Sequence, residues 1–269
     1  MTHSQTCSLT TITLAAGVFL MLVGLGCART GEAAEASTQP AAGPVSAPVV
    51  VELFTSEGCS SCPPADDLLA DLTREAQSHG QPVYAMAFHV DYWDRLGWRD
   101  PFSSADFSAR QHRYATTFGS DQVYTPQMVI NGKSGFAGSD ATEARKQIRA
   151  AMEERVATEI VMKAERAADG RLTIACTVTG APKASVLNVA LVERSVTSHI
   201  QRGENAGRTL RHCNVVRAFG SATLTEGNTA KIELKPPESL GSNNAMLIGF
   251  VQDGKSMVVV GASTADLPP

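Results

Sequence analysis

A chain of 269 residues, 43% hydrophobic and 19% charged, is long enough for one large or two modest domains with a sizeable core. Its formal net charge is −4, and no Lys/Arg cluster is interleaved with aromatics. That balance excludes nucleic acid as a partner and a polybasic membrane-binding patch.

The chain opens with a nearly continuous apolar run, Ile12–Gly26, too short for a comfortable spanning helix and suited to the core of an export signal. Ala34-Glu35-Ala36 then fits a cleavage site. Residues 1–36 are therefore expected to be a signal peptide or membrane anchor, and 37–48, rich in Ala, Ser, Pro and Gly, a flexible linker. No Lys or Arg precedes Arg29, and Gly26-Cys27 is an imperfect lipidation site, so cleavage, lipidation and retention stay open. The expected location is periplasmic or secreted, with or without a membrane tether.

Structured sequence should begin near Val49. Val49–Phe54 reads as a buried strand, and Ala65–Gln77 as a helix carrying Leu68, Leu69 and Leu72 on one face. Val83–Val90 is a second strand, parallel to the first because a helix separates them. Ser103–Phe118 is a helix with Phe107, Tyr114 and Phe118 on its apolar side. Gln127–Ile130 and Ser134–Ala137 are strands joined at Asn131-Gly132, a dipeptide that tight hairpins prefer. A last helix runs from about Asp140 to Arg155, with Ser139 as its expected cap. The resulting order over 49–156 is β-α-β-α-β-β-α.

After about Ala157 the period changes to two. Strand-like runs at Thr158–Ala167, Leu172–Val178, Leu187–Leu191, Val215–Phe219, Ala230–Leu234, Met246–Val251 and Met257–Gly261 predict a smaller all-β, sandwich-like domain over 157–265.

Of six cysteines, Cys7 and Cys27 lie in the leader. Cys59 and Cys62, spaced Cys-x-x-Cys, form one unit at the junction of the first strand and helix. Cys176 and Cys213 are left bridged or free. A sulfur pair where a helix starts can close a reversible disulfide or hold a soft metal ion, and the helix N-terminus favours thiolate. Glu57, Asp66 and Asp67 oppose that effect. Pro63 biases Cys62 away from helical backbone, which would leave the pair on a loop.

The element order, the Cys-x-x-Cys position and Thr125-Pro126 just before the third strand resemble the thioredoxin fold. A closer resemblance, to the exported thioredoxin-like family known as domain of unknown function 1223, rests on several stretches. They are Val51–Pro64, His89–Asp94, Gly97-Trp98, Asp100–Phe102, Tyr124–Met128, Gly203–Asn205 and Asn214–Val216. The resemblance implies a cis Thr125-Pro126 bond facing the cysteines, with both residues as a platform for an extended substrate.

The leading expectation is thiol–disulfide exchange on protein or small-thiol disulfides, without a cofactor. In it an exposed Cys59 is the nucleophile and Cys62 resolves the mixed disulfide. The rival is a non-enzymatic module: a Cu or Zn carrier using Cys59, Cys62 and His89, or an adaptor whose disulfide is structural. Each residue also has a plainer use. His89 would be a hydrogen-bonded wall residue, Asp91 and Asp94 turn-formers, Trp93 and Trp98 loop packing, and Cys176 a small core residue. His199 and His212 show no ligand spacing.

Overall fold

The computed structural model describes residues 46–224 and 228–268. The expectations for 1–36, and for all but the last three residues of 37–48, lie outside the described residues. No helix among the described residues is long and apolar enough to cross a membrane. Ala47, two residues before β1, already belongs to the fold: it is buried and its N–H donates to the Met152 carbonyl at 3.1 Å.

The fold is mixed α/β, with a large sheet and a smaller one. In chain order it contains β1 (Val49–Thr55), α1 (Pro63–Ser78), β2 (Val83–His89), a 3-10 turn (Asp91–Leu96), α2 (Ala105–Thr117), β3 (Gln127–Ile130), β4 (Ser134–Ala137) and α3 (Ala141–Met152). There follow β5 (Glu159–Arg166), β6 (Leu172–Thr179), β7 (Ser185–His199), β8 (Thr209–Thr223), β9 (Thr229–Leu234), β10 (Ala245–Asp253) and β11 (Val259–Ala265). β1 and β2 are parallel, as the intervening helix requires. The α3 cap is Asp140, not Ser139: its carboxylate accepts from the N–H groups of Thr142 and Glu143. An aspartate reaches two free N–H groups of the first turn and adds a favourable charge there.

The large sheet has eight strands in the order β11-β10-β7-β8-β2-β1-β3-β4. The second half therefore does not part from the first as a free-standing sandwich. β5, β6 and β9 form a separate three-stranded sheet, while β7, β8, β10 and β11 extend the sheet that β1 to β4 begin. The seam is thin. β8 meets β2 in parallel at Ala87 and Val215, and Asn214 adds a side-chain bond from Nδ2 to the Ala85 carbonyl at 2.9 Å.

Alternation along the strands builds three cores. Val49, Val51 and Leu53 face α1 and α3, while Leu187, Val189 and Leu191 face the small sheet, so one side of the large sheet is covered in two ways. On its other side Val50, Phe54, Phe88, Ala190, Ile248 and Phe250 meet α2. That core also contains a charge. Arg110 on α2 donates to both oxygens of Glu52, at 2.5 and 2.9 Å, and to Gln252 Oε1 at 3.0 Å. Its guanidinium lies over the rings of Phe88, Tyr114, Phe219 and Phe250, with the nearest centroid at 5.0 Å.

The hairpin at Asn131-Gly132 closes the molecule. Both residues have positive φ, and the Asn131 carbonyl accepts from Val259 N–H at 2.9 Å. A Cβ at Gly132 would stand 2.0 Å from the Met257 carbonyl oxygen. Glycine is needed there for space as well as for backbone conformation.

Candidate functional site

Cys59 and Cys62 are joined as a disulfide. The chain leaves β1, turns at Ser56–Ser61, and enters α1 with prolines in the first helical turn, where a missing N–H costs nothing. Both cysteines lie on the turn before the helix, as expected, but Cys62, the N-cap, has helical backbone angles (φ −79°, ψ −36°) rather than the non-helical ones expected before a proline. Bonds of 2.8 and 3.2 Å from the Ala65 and Asp66 N–H groups to the Cys62 carbonyl outweigh the steric bias of the following proline.

Both cysteines are 0% exposed, which corrects the expectation of an exposed Cys59 nucleophile. The second half of the chain packs onto the loop that carries them. The tip of the β7–β8 hairpin lies on the disulfide loop: Asn205 Nδ2 donates to the carbonyls of Glu57 and Cys59 at 2.8 and 3.0 Å, and Glu204 accepts from the N–H and hydroxyl of Ser60 at 3.0 and 2.7 Å. Gly203 makes this approach feasible, since a Cβ there would stand 3.2 Å from Trp98 Cβ.

The Thr125-Pro126 peptide is cis. Trp93 links it to the disulfide loop: Nε1 donates to Thr125 Oγ1 at 2.7 Å, while its Cβ stands 3.3 Å from where a Gly58 Cβ would be. Gln111 Nε2 donates to the Tyr124 carbonyl at 2.7 Å and fixes the chain entering the proline. Thr125, Pro126, Cys59 and Cys62 thus belong to one assembly. Trp93 and Trp98 hold it through their N–H groups as well as by packing.

Behind the disulfide is a buried ionisable cluster that sequence spacing did not reveal. His89 Nδ1 pairs with Asp100 Oδ2 at 2.7 Å, and Asp100 also accepts from the N–H groups of Glu57 and Phe102 at 2.8 and 2.9 Å. Burial alone would raise the Asp100 carboxyl, but His89 and these N–H groups hold it below its usual value. His212, on β8, lies between two carboxylates: Nε2 is 3.3 Å from Glu57 Oε1, and Nδ1 is 3.7 Å from Asp66 Oδ1. Burial opposes charge on this imidazole, yet Asp66 and Glu57 outweigh burial and push it up to about 10. The rings of His89 and His212 meet edge to face at 4.9 Å. Because the members come from β1, α1, β2, the Asp100 loop and β8, no local motif joins them.

The remaining candidates find plainer places. Asp94 accepts from Asp100 N–H and the Ser103 hydroxyl, and Asp91 from the Ser108 hydroxyl, so both fix turns. Cys176 and Cys213 are free thiols in different sheets, and burial raises both. His199 bonds only locally, to Thr209. The metal set Cys59, Cys62 and His89 is not assembled: the sulfurs are spent on each other and His89 is turned to Asp100. Among the described residues no group of three His, Cys, Asp or Glu is disposed to hold a metal ion.

No curated protein matches the chain. The crystal structure of protein AGR_C_4864 from Agrobacterium tumefaciens is similar, at 28% identity and TM-score 0.59, over 82% of this chain and 95% of that one. A domain of the outer membrane lipoprotein Omp28 from Porphyromonas gingivalis matches 43% of this chain and 92% of its own, at 13% identity and a TM-score of 0.28 that carries no weight. The model of one family matches residues 50–252, and the chain belongs to that family, described as protein of unknown function DUF1223.

Proposed function

We propose that this is an exported, thioredoxin-like thiol–disulfide oxidoreductase acting on protein or small-thiol disulfides, with Cys59 as nucleophile and Cys62 as resolving sulfur. One observation carries the reading: the disulfide joins residues only three apart, at the start of a helix and in one assembly with a cis Thr125-Pro126. A ring this small removes little freedom from the unfolded chain, about 2 kcal/mol in the chain-entropy account. It is a poor staple. A disulfide with little structural value, set where helix polarity favours a thiolate, suits reversible opening.

The element order over 49–156, β-α-β-α-β-β-α, supports the thioredoxin-like part of the reading. An oxidising compartment, as the leader sequence suggests, suits a closed disulfide. Because both sulfurs are covered, exchange requires the hairpin tip at Gly203–Asn205 to lift from Ser60. The substrate then meets Cys59 from the side of Thr125 and Pro126.

The test equilibrates the purified chain with glutathione and dithiothreitol redox buffers, counts free thiols by alkylation and mass, and follows turnover of a disulfide substrate. Bound copper and zinc are assayed on the reduced sample. We expect one titrating couple, lost in Cys59→Ser and Cys62→Ser, with turnover and no stoichiometric metal. A disulfide closed in every buffer, or open sulfurs that take up metal without turnover, overturns the reading.

A further inference from the structure

Each carboxylate behind the disulfide uses one oxygen in a hydrogen bond and aims the other at His212. Glu57 Oε2 accepts from Trp98 Nε1 at 2.7 Å, and Asp66 Oδ2 accepts from Thr55 Oγ1 at 3.2 Å. Glu57 Oε1, Asp66 Oδ1 and both nitrogens of His212 make no well-aligned hydrogen bond and meet only as ion pairs with one another, while His89 Nε2 has no partner. All are buried, and a buried cluster of ions repays its desolvation poorly compared with apolar packing. A wall of apolar side chains would fill the same space without that cost. Such a cluster, beside a disulfide, calls for a chemical use.

We infer that Glu57, His212 and Asp66 are the proton exchanger of the Cys59–Cys62 couple, protonating the Cys62 sulfur when the disulfide opens and taking the proton back when it closes. The inference rests on the thiol–disulfide reading and adds to it how a covered sulfur changes its protonation. In reduction, a donor thiolate bonds to Cys59 Sγ as the Cys59–Cys62 bond breaks, and the electron pair leaves on Cys62 Sγ. A second donor thiolate then attacks the donor sulfur of the mixed disulfide and releases Cys59 as thiolate. The donor ends as a disulfide, and its two electrons rest on the couple. Cys62 is fully buried, with Asp66 one turn further along its own helix and Glu57 on the same loop, so desolvation and like charge both oppose an anion there. It must take a proton from within.

The fold places the trio for this. Asp66 stands in the first turn of the helix that Cys62 caps, with its N–H on the Cys62 carbonyl at 3.2 Å, and Glu57 lies two residues before Cys59. The groups facing His212 are Glu57 from the loop after β1, Asp66 from α1, and His89 from β2 with Asp100 behind it. A cavity of about 280 Å³, lined by Pro63, Asp66 and His212 and bordered by Asp67, Arg208 and Arg211, offers the route by which solvent reloads the trio. An imidazolium between carboxylates can give a proton without creating an isolated buried charge.

The test follows reduction of the full-length protein by dithiothreitol from pH 7 to 11, a range that spans the raised pKa of His212, with rates expressed per dithiothreitol thiolate. We expect His212→Gln to be about a hundredfold slower than wild type, to lose the pH dependence that remains after this correction, and to be partly rescued by added imidazole. Asp66→Asn, which keeps the side-chain shape, serves should His212→Gln fail to fold, and is expected to slow reduction in the same sense. Wild-type rates and pH profiles in a folded variant overturn the inference while leaving the oxidoreductase reading standing. A wild-type disulfide that never opens removes both.

Discussion

Asn205 has two jobs at one point: its amide satisfies the carbonyls of Glu57 and Cys59, and in doing so holds the cover over the sulfurs. Asn205→Ala leaves buried acceptors unpaired and is expected to cost about 1–3 kcal/mol in urea unfolding, while reduction of Cys59–Cys62 becomes faster because the cover loosens. Equal reduction rates in variant and wild type would show that access is not limited there. His212 gives a pH signature of the oxidised protein. Its folded pKa is raised from 6.5 to about 10, so its contribution to stability is complete below about 6.5 and is lost as pH climbs through about 10. Tm should fall across that interval, and His212→Gln should flatten the fall; parallel curves for the two proteins would refute it. In the sequence Glu57 and Asp66 read only as acidic neighbours of the cysteines and His212 as an isolated histidine. Their relation is spatial.

Among the elements, the strands and helices of the first half fall where apolar runs, helical spacing and turn residues place them, because those signals are local. β7 and β8 were less legible. Leu187–Leu191 and Val215–Phe219 read as short strands, whereas the ladder runs over Ser185–His199 and Thr209–Thr223. Beyond the core β7 alternates between half-buried and exposed positions, and the buried positions at the start of β8 include the polar His212 and Asn214, which leaves little apolar signal although the backbone pairing continues. That extension carries the hairpin tip to the disulfide. α2 contributes the buried Arg110, whose pairing with Glu52 on β1 and Gln252 on β10 ties three elements together. Glu52→Gln strands a desolvated guanidinium and is expected to cost about 3–5 kcal/mol in chemical denaturation. Glu52→Leu combined with Arg110→Met should recover most of that loss; a double variant as weak as the single one would contradict this account.

Over the whole molecule, one sheet serves both halves. The face of β1 and β2 that carries Phe54 and Phe88 is completed by Ala190, Val192, Ile248 and Phe250 from β7 and β10. A fragment of residues 46–156 would keep α2 on that face but lose the apolar side chains that β7 and β10 add beside it, and would strip the hairpin tip from the disulfide loop. It is expected to bind a hydrophobic dye and to lack a cooperative thermal transition, while the full chain shows one; a fragment that melts cooperatively with native helix content would show that the halves are independent. The stretches that carry the family resemblance, among them Val51–Pro64, His89–Asp94, Asp100–Phe102, Tyr124–Met128 and Gly203–Asn205, are scattered along the chain. They converge on the disulfide.

The sequence by itself determined the cysteine unit, its strand–helix junction and the order of the elements. These are local matters of spacing, periodicity and turn chemistry. Only the tertiary structure decided that the two halves share a sheet, that the cysteines are buried with the β7–β8 hairpin tip bonded to their loop, and that His212 sits between Glu57 and Asp66. Those outcomes depend on pairing across long separations, where a single register contact between β2 and β8 brings residues more than a hundred positions apart to one buried point. No periodicity within either half encodes that meeting.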